Sequence, residues 1–194
     1  MSVKEPSSVD VFFTGVLGCV TARRYKGYVN TFGLTGSERV LDYGSGSGRI
    51  SRPIAQRLLQ AGGHLTCVVV SEVWMNSIRK RLEKYPDVDF RLGDITSLPI
   101  EDYSYDVILV HFVLHHIDRG ARNEKVRALS EKLTAGGRLF IREPVRQGHG
   151  TPVDEILELM TNAGLRERSS RLTRSLAMGP VYEGVFQRLD LGSI

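Results

Sequence analysis

The chain has 194 residues, enough for one domain with a buried core, with or without a small appendage. Apolar residues make up 41% and charged residues 25%, the balance of a soluble globular chain rather than a disordered or membrane-spanning one. Lys and Arg number 26 against 22 Asp and Glu, and the resulting +4 is too mild to mark a nucleic-acid binder by itself. The cysteines, Cys19 and Cys67, lack CxxC spacing, so neither a disulfide framework nor a metal site is indicated. A reducing, cytoplasmic setting fits. The apolar stretch Val9–Val20 is followed by "ARRYK" rather than preceded by positive charge, the wrong order for a signal peptide, and is predicted to be a packed or partly exposed helix.

From residue 36 onward, strand-like and helix-like patterns alternate. "ERVLDY" (38–43) is a short apolar run that ends in an acid before a glycine, as a buried strand does. A helix follows from Arg49, with Pro53 in its first turn and Ile54, Ala55, Leu58 and Leu59 at helical spacing. "HLTCVVV" (64–70) is a continuous β-branched run and reads as a second buried strand. Trp74, Ile78 and Leu82 mark the next helix. "VDFRL" (88–92) and "YDVILV" (105–110) are the third and fourth strands. Val126, Leu129 and Leu133 mark a helix that "AGG" (135–137) stops, and "RLFIRE" (138–143) is the fifth strand. "TPVDEILELMTNAGL" is a helix opened by Thr-Pro and closed by Gly164, and the segments 165–173 and 180–189 look like a terminal hairpin. Such alternation implies an α/β doubly wound, Rossmann-like, mostly parallel sheet with helices on both faces. Ligands sit beyond the carboxyl ends of its strands, where the strand order reverses.

The glycine stretch "VLDYGSGSGRIS" (40–51) follows the first strand, which is that place. A dinucleotide loop requires G-x-G-x-x-G or -A; the third position falls on Arg49 or Ser51, and neither frame fits. A phosphate loop requires a lysine, and the stretch has none. The pattern is acid-x-G-x-G-x-G, Asp42-Tyr43-Gly44-Ser45-Gly46-Ser47-Gly48. It resembles motif I of class I S-adenosylmethionine (SAM)-dependent methyltransferases. "RLGDITSLPIEDYSYDVILVHFVLHHI" (91–117) resembles the next block of that family, "EKLTAGGRLFI" its turn into the fifth strand, with Ala135 where proline is usual, and "LMTNAGLRE" its junction into the sixth. The likeness spans roughly residues 36–190. It implies seven strands, the last antiparallel and placed between the fifth and sixth, and SAM as cofactor. Asp42 would lie near the SAM amino group, Gly44 and Gly46 would meet the methionyl part through their backbone, and Asp94 and Ile95 would hold the adenine. Tyr43 and His111 complete the implied cofactor set.

One departure matters. The family usually carries an acid after the second strand that holds the ribose, and the helix pattern puts Val69 there. Ser71 making a weaker contact, Glu72 reaching back, and a less well held ribose all remain open. His111, His115, His116 and Glu143 stand where the fourth and fifth strands end, and His111 is the candidate catalytic base. Residues 1–35 are expected to form a helical lid over residues 36–194, with Phe12, Phe13, Tyr25 and Tyr28 either facing a substrate or packing. The apolar stretch with Arg23, Arg24 and Lys26 also suits a lipid or amphiphilic acceptor. The expected partner is a small molecule, with no nucleic acid and no transmembrane segment; the oligomeric state is not encoded legibly. The leading expectation is small-molecule methyl transfer. A SAM- or nucleoside-binding protein without turnover and a nicotinamide-dependent oxidoreductase are the alternatives.

Overall fold

Three short apolar runs pair in parallel. β1 (Arg39–Tyr43) lies beside β2 (His64–Val69), and β2 beside β3 (Val88–Leu92), in the order β3-β2-β1. Leu65 to Val69 are all buried, as expected of a strand covered on both faces. The computed structural model describes residues 18–146, 148, 150–175 and 178–188 and divides into two compact units, Met1–Asp94 and Ile95–Ile194. The first unit also holds helices α1 (Gly18–Asn30), α2 (Ser51–Leu58) and α3 (Glu72–Leu82). Phe32, Leu41, Ile54, Leu65 and Ile78 are fully buried within it. Arg57 Nε donates to the Leu34 carbonyl at 2.9 Å and ties α2 to the chain that follows α1.

The second unit contains β4 (Tyr105–His111), a 3-10 turn (Leu114–His116), α4 (Arg119–Lys132), β5 (Leu133–Pro144), α5 (Val153–Asn162), β6 (Leu165–Ser175) and β7 (Gly179–Arg188). β4 and β5 are parallel; β7 lies between β5 and β6 and is antiparallel to both. The seven strands form one sheet, mostly parallel, with β7 placed as the resemblance implied.

The structure moves several expected boundaries. Leu133 is the first residue of β5, not the last of the helix: the chain turns extended there, with φ −70° and ψ 138°. "AGG" lies inside β5 as a bulge, because Tyr105 pairs with Leu133 and Val107 with Arg138. Gln187 Nε2 donates to the Gly136 carbonyl at 2.9 Å and holds the bulge. The buried stripe of α3 is Met75, Ile78 and Leu82, and Trp74 is only half-buried. Leu59 follows the end of α2 and is exposed. Tyr28 and Phe32 pack edge to face at 4.9 Å in the first unit, so Tyr28 serves packing. Phe12, Phe13, the greater part of the Val9–Val20 stretch and Leu189 lie outside the described residues.

Candidate functional site

In the first unit the glycine loop leaves β1 and bends over its end. Gly44 and Ser45 both donate their N–H to the Val68 carbonyl of β2, at 2.9 and 3.1 Å, and Gly48 N–H closes a turn onto Ser45 O at 2.9 Å. Beneath this turn Asp42 is fully buried. Ser51 Oγ, at the first residue of α2, donates to Asp42 Oδ2 at 2.6 Å. Oδ1 is equally buried and has no hydrogen-bond partner among the described residues. A buried carboxylate oxygen with nothing to accept from costs free energy, and burial pushes the Asp42 carboxyl up to about 7. An amino group arriving at Oδ1 would relieve both. Tyr43 is buried too, its phenol held above its ordinary range by burial and by the nearby negative charge of Asp94. The structure thus brings Asp42, Tyr43, Gly44, Gly46 and Asp94 to one end of this unit.

The glycines of the loop do different jobs. Gly46 has φ +52°, and a Cβ there would meet only the Gly44 carbonyl, at 3.9 Å. The protein leaves the space beside it open. Gly48 has φ +73°, and a Cβ there would sit 2.6 Å from Ile78 Cγ1. That glycine lets the loop close on α3.

At the end of β2, Val69 is buried in the core and presents no polar group. Ser71, just before α3, is buried, and its Oγ has no partner among the described residues. Glu72 is exposed in the first turn of α3. Val70, Val73 and Leu92 are exposed around the same strand ends. The sequence reading placed Val70 in the buried second strand, but β2 ends at Val69 and Val70 is exposed beyond it.

In the second unit a fully buried carboxylate organises the turn after β4. Glu143, on β5, accepts from the backbone N–H of Val113 at 2.5 Å and of Leu114 at 2.8 Å through Oε1. Its Oε2 lies 2.7 Å from His115 Nδ1. With Glu143 ionised, Nδ1–H donates, and Nε2 is the nitrogen left to take up a proton. Phe112 is held at φ +59°, a conformation costly for a residue with a side chain and common at working sites. His111 is driven down to about 3, first by burial and then by the charge of Arg142, so its ring stays neutral. Arg142 in turn lies 2.9 Å from Glu183, which also pairs with Arg171. Ile95, the other adenine candidate, is buried in this unit.

A family model for a methyltransferase domain matches residues 40–137, from the glycine loop to the β5 bulge. The chain belongs to that family. A demethylmenaquinone methyltransferase of Renibacterium salmoninarum is 32% identical to this methyltransferase domain over 132 residues, 66% of this chain and 51% of its own. The chain spans about half the length of the curated relatives it matches. Among solved structures, a SAM-dependent methyltransferase of Methanosarcina mazei superposes with a TM-score of 0.72 at 16% identity, over 83% of this chain and 97% of its own. The N-methyltransferase NodS of Bradyrhizobium japonicum, in complex with S-adenosylhomocysteine, gives 0.71 at 17% identity over 88% and 85%. At such identities these two likenesses establish the fold of the methyltransferase domain.

Proposed function

We propose that this chain transfers the methyl group of SAM to a small organic acceptor. The observation that carries this is Asp42: a buried carboxylate with one unsatisfied oxygen under an open glycine loop, in a chain of the methyltransferase family. Asp42 would hold the amino group, the loop N–H groups the carboxylate, Ser71 a ribose hydroxyl, and Asp94 with Ile95 the adenine. Tyr43 and His111 would line the same cofactor. Bound there, SAM supplies a methyl carbon on a positively charged sulfur, which an oxygen, nitrogen or carbon nucleophile displaces. His115 takes the acceptor's proton at Nε2, and Glu143 fixes the tautomer and supports the charge that forms. His111, neutral and a weak base at about 3, suits a hydrogen-bonding role better than proton transfer. The curated relatives named demethylmenaquinone methyltransferases make a quinone-type acceptor, amphiphilic and aromatic, the first to try. Residues 1–35 are proposed to cover the acceptor, with the buried side chains of Tyr28, Val29, Phe32 and Leu34 as the anchored end. The acceptor is proposed to be neither nucleic acid nor protein. The chain is proposed to work in the cytoplasm; no helix among the described residues is long and apolar enough to cross a membrane. Titration calorimetry with SAM, S-adenosylhomocysteine and NAD tests the cofactor. Binding of NAD but not SAM would sink the proposal. A SAM-binding protein without turnover is the second reading, favoured by the apolar Val69; methylation of any quinol presented to the enzyme removes it.

Asp42 makes cofactor affinity depend on pH. Its folded carboxyl lies above the ordinary 3.8, so between 3.8 and about 7 the fold retains a proton the unfolded chain releases. Stability without ligand therefore falls as pH rises through that window. Affinity for a ligand cation moves the other way, since the pair forms only once Asp42 has ionised. SAM should bind more tightly as pH climbs to about 7 and more weakly again above about 8, where an α-amino group loses its proton. Calorimetry across that range checks this, and Asp42→Asn should remove the acidic limb. An affinity flat across the acidic range in the unaltered protein would contradict the Asp42 assignment.

Ser71→Ala should weaken SAM by about 0.5–1.5 kcal/mol, and Glu72→Gln should leave it unchanged. The opposite pattern in side-by-side titrations would show that the exposed Glu72 reaches back to the ribose.

A further inference from the structure

The first unit carries a second concave feature. A groove of about 370 Å³ is lined by Arg52, Ser77, Lys80, Arg81, Glu83, Lys84 and Tyr85. Four of these are cations and one is a carboxylate. Among the described residues no ion pair joins Glu83 to any of the four.

The arrangement is not what helix electrostatics alone would produce. Lys80 and Arg81 fall in the last turn of α3, where the helix dipole favours positive charge. Arg52 does not have that excuse. It sits in the first turn of α2, the positive end, where acids are preferred and none is present. Arg49 adds a further charge: after burial, it and Arg52 both lower the Arg81 guanidinium, which is the sign of cations crowded together. Arg81 is also preset. Its Nε donates to the Ser47 carbonyl at 2.6 Å, which fixes the guanidinium against the glycine loop. Its outer N–H groups remain for a ligand, and little side-chain entropy is left to lose on binding. A fixed arginine with two exposed lysines and a second arginine beside it matches a tetrahedral phosphate, which takes paired hydrogen bonds from arginine and point charge from lysine.

We propose that this groove between α2 and α3 is a phosphate-binding site, filled by the phosphate of a small soluble ester or of an anionic phospholipid headgroup. It uses none of the residues assigned above to cofactor or acceptor, so it stands or falls independently of the methyl-transfer reading.

The test compares the intact chain with Lys80→Gln/Lys84→Gln. The control, Arg166→Gln/Arg168→Gln, removes the same charge from exposed positions of β6. Inorganic phosphate and pyrophosphate are titrated by calorimetry. Pelleting with phosphatidylcholine vesicles, with and without phosphatidylglycerol, reads the headgroup source at low salt. Loss of roughly tenfold or more in the groove variant with the control unchanged supports the proposal, as a soluble phosphate site in the first assay and a headgroup site in the second. Binding of neither probe, equal loss in both variants, or undiminished binding by the groove variant would overturn it and leave a solvated basic surface.

Discussion

Gly48→Ala is expected to cost about 2–5 kcal/mol of folding stability, whereas Gly46→Ala should cost about 1–2 kcal/mol yet abolish cofactor binding. Both residues have positive φ, so both variants carry the left-handed penalty of an L side chain. They differ in what the new methyl meets. At Gly48 it lands 2.6 Å from Ile78 Cγ1, in the buried seam with α3, and something must shift. At Gly46, chain neighbours aside, no atom of the described residues is closer than 3.9 Å, so the fold tolerates the methyl and a ligand would contest the space. Urea denaturation measures the first quantity and SAM calorimetry the second, with a loss of roughly a hundredfold or more expected for Gly46→Ala. A Gly46→Ala protein that binds SAM as tightly as the unaltered chain would make the loop a mere turn.

The sheet was legible because its inner strands are apolar on both faces. "HLTCVVV" and "YDVILV" admit no amphipathic reading, and both are strands. The β5 start was not legible. Leu133 stands four residues after Leu129 and seven after Val126, so it continues the helical period even though its backbone has already turned extended. Periodicity reports which side chains are buried, and Leu133 is buried either way. The misplaced stop at "AGG" has a related cause. Glycines that look like a helix terminator are equally at home in a bulge, and the partner that settles the matter, Gln187, is 51 residues away.

The same distinction separates the candidate residues of the first unit from those of the second. Asp42 and the glycines are contiguous, so spacing alone could eliminate the dinucleotide and phosphate-loop readings. The position of Val69 also pointed to a change at the ribose, but only burial separates Ser71, tucked in with its Oγ unsatisfied, from the exposed Glu72. In the second unit, His115 and Glu143 were each visible as polar residues at strand ends, but nothing local links residues 28 apart. The link comes from parallel register. His111 pairs with Arg142, which sets the next residue, Glu143, beside the turn that carries Val113, Leu114 and His115. A reading that ranks the histidines by closeness to the strand end selects His111, which burial and Arg142 keep neutral. The histidine with a carboxylate behind it is His115, four residues further on.

Glu143→Gln should lower turnover by about 10²–10⁴ while leaving SAM affinity within about twofold. The amide keeps the shape of the side chain, and its oxygen can still accept from Val113 and Leu114, so the turn after β4 should persist. Its NH₂ group, however, can only donate toward His115 Nδ1. The neutral ring must then carry its proton on Nε2, the atom proposed to receive the acceptor's proton, and the base is lost without losing the fold. Glu143→Ala is a harsher change. It leaves two buried backbone N–H groups without acceptors, at about 1–3 kcal/mol each, and loss of activity there would not separate chemistry from collapse of the turn. The glutamine variant is therefore the informative one, read by the split between kcat and SAM affinity. His115→Asn should reproduce both the lost turnover and the retained SAM affinity. Full turnover by Glu143→Gln would reduce Glu143 to a structural clamp and leave the acceptor's proton to solvent.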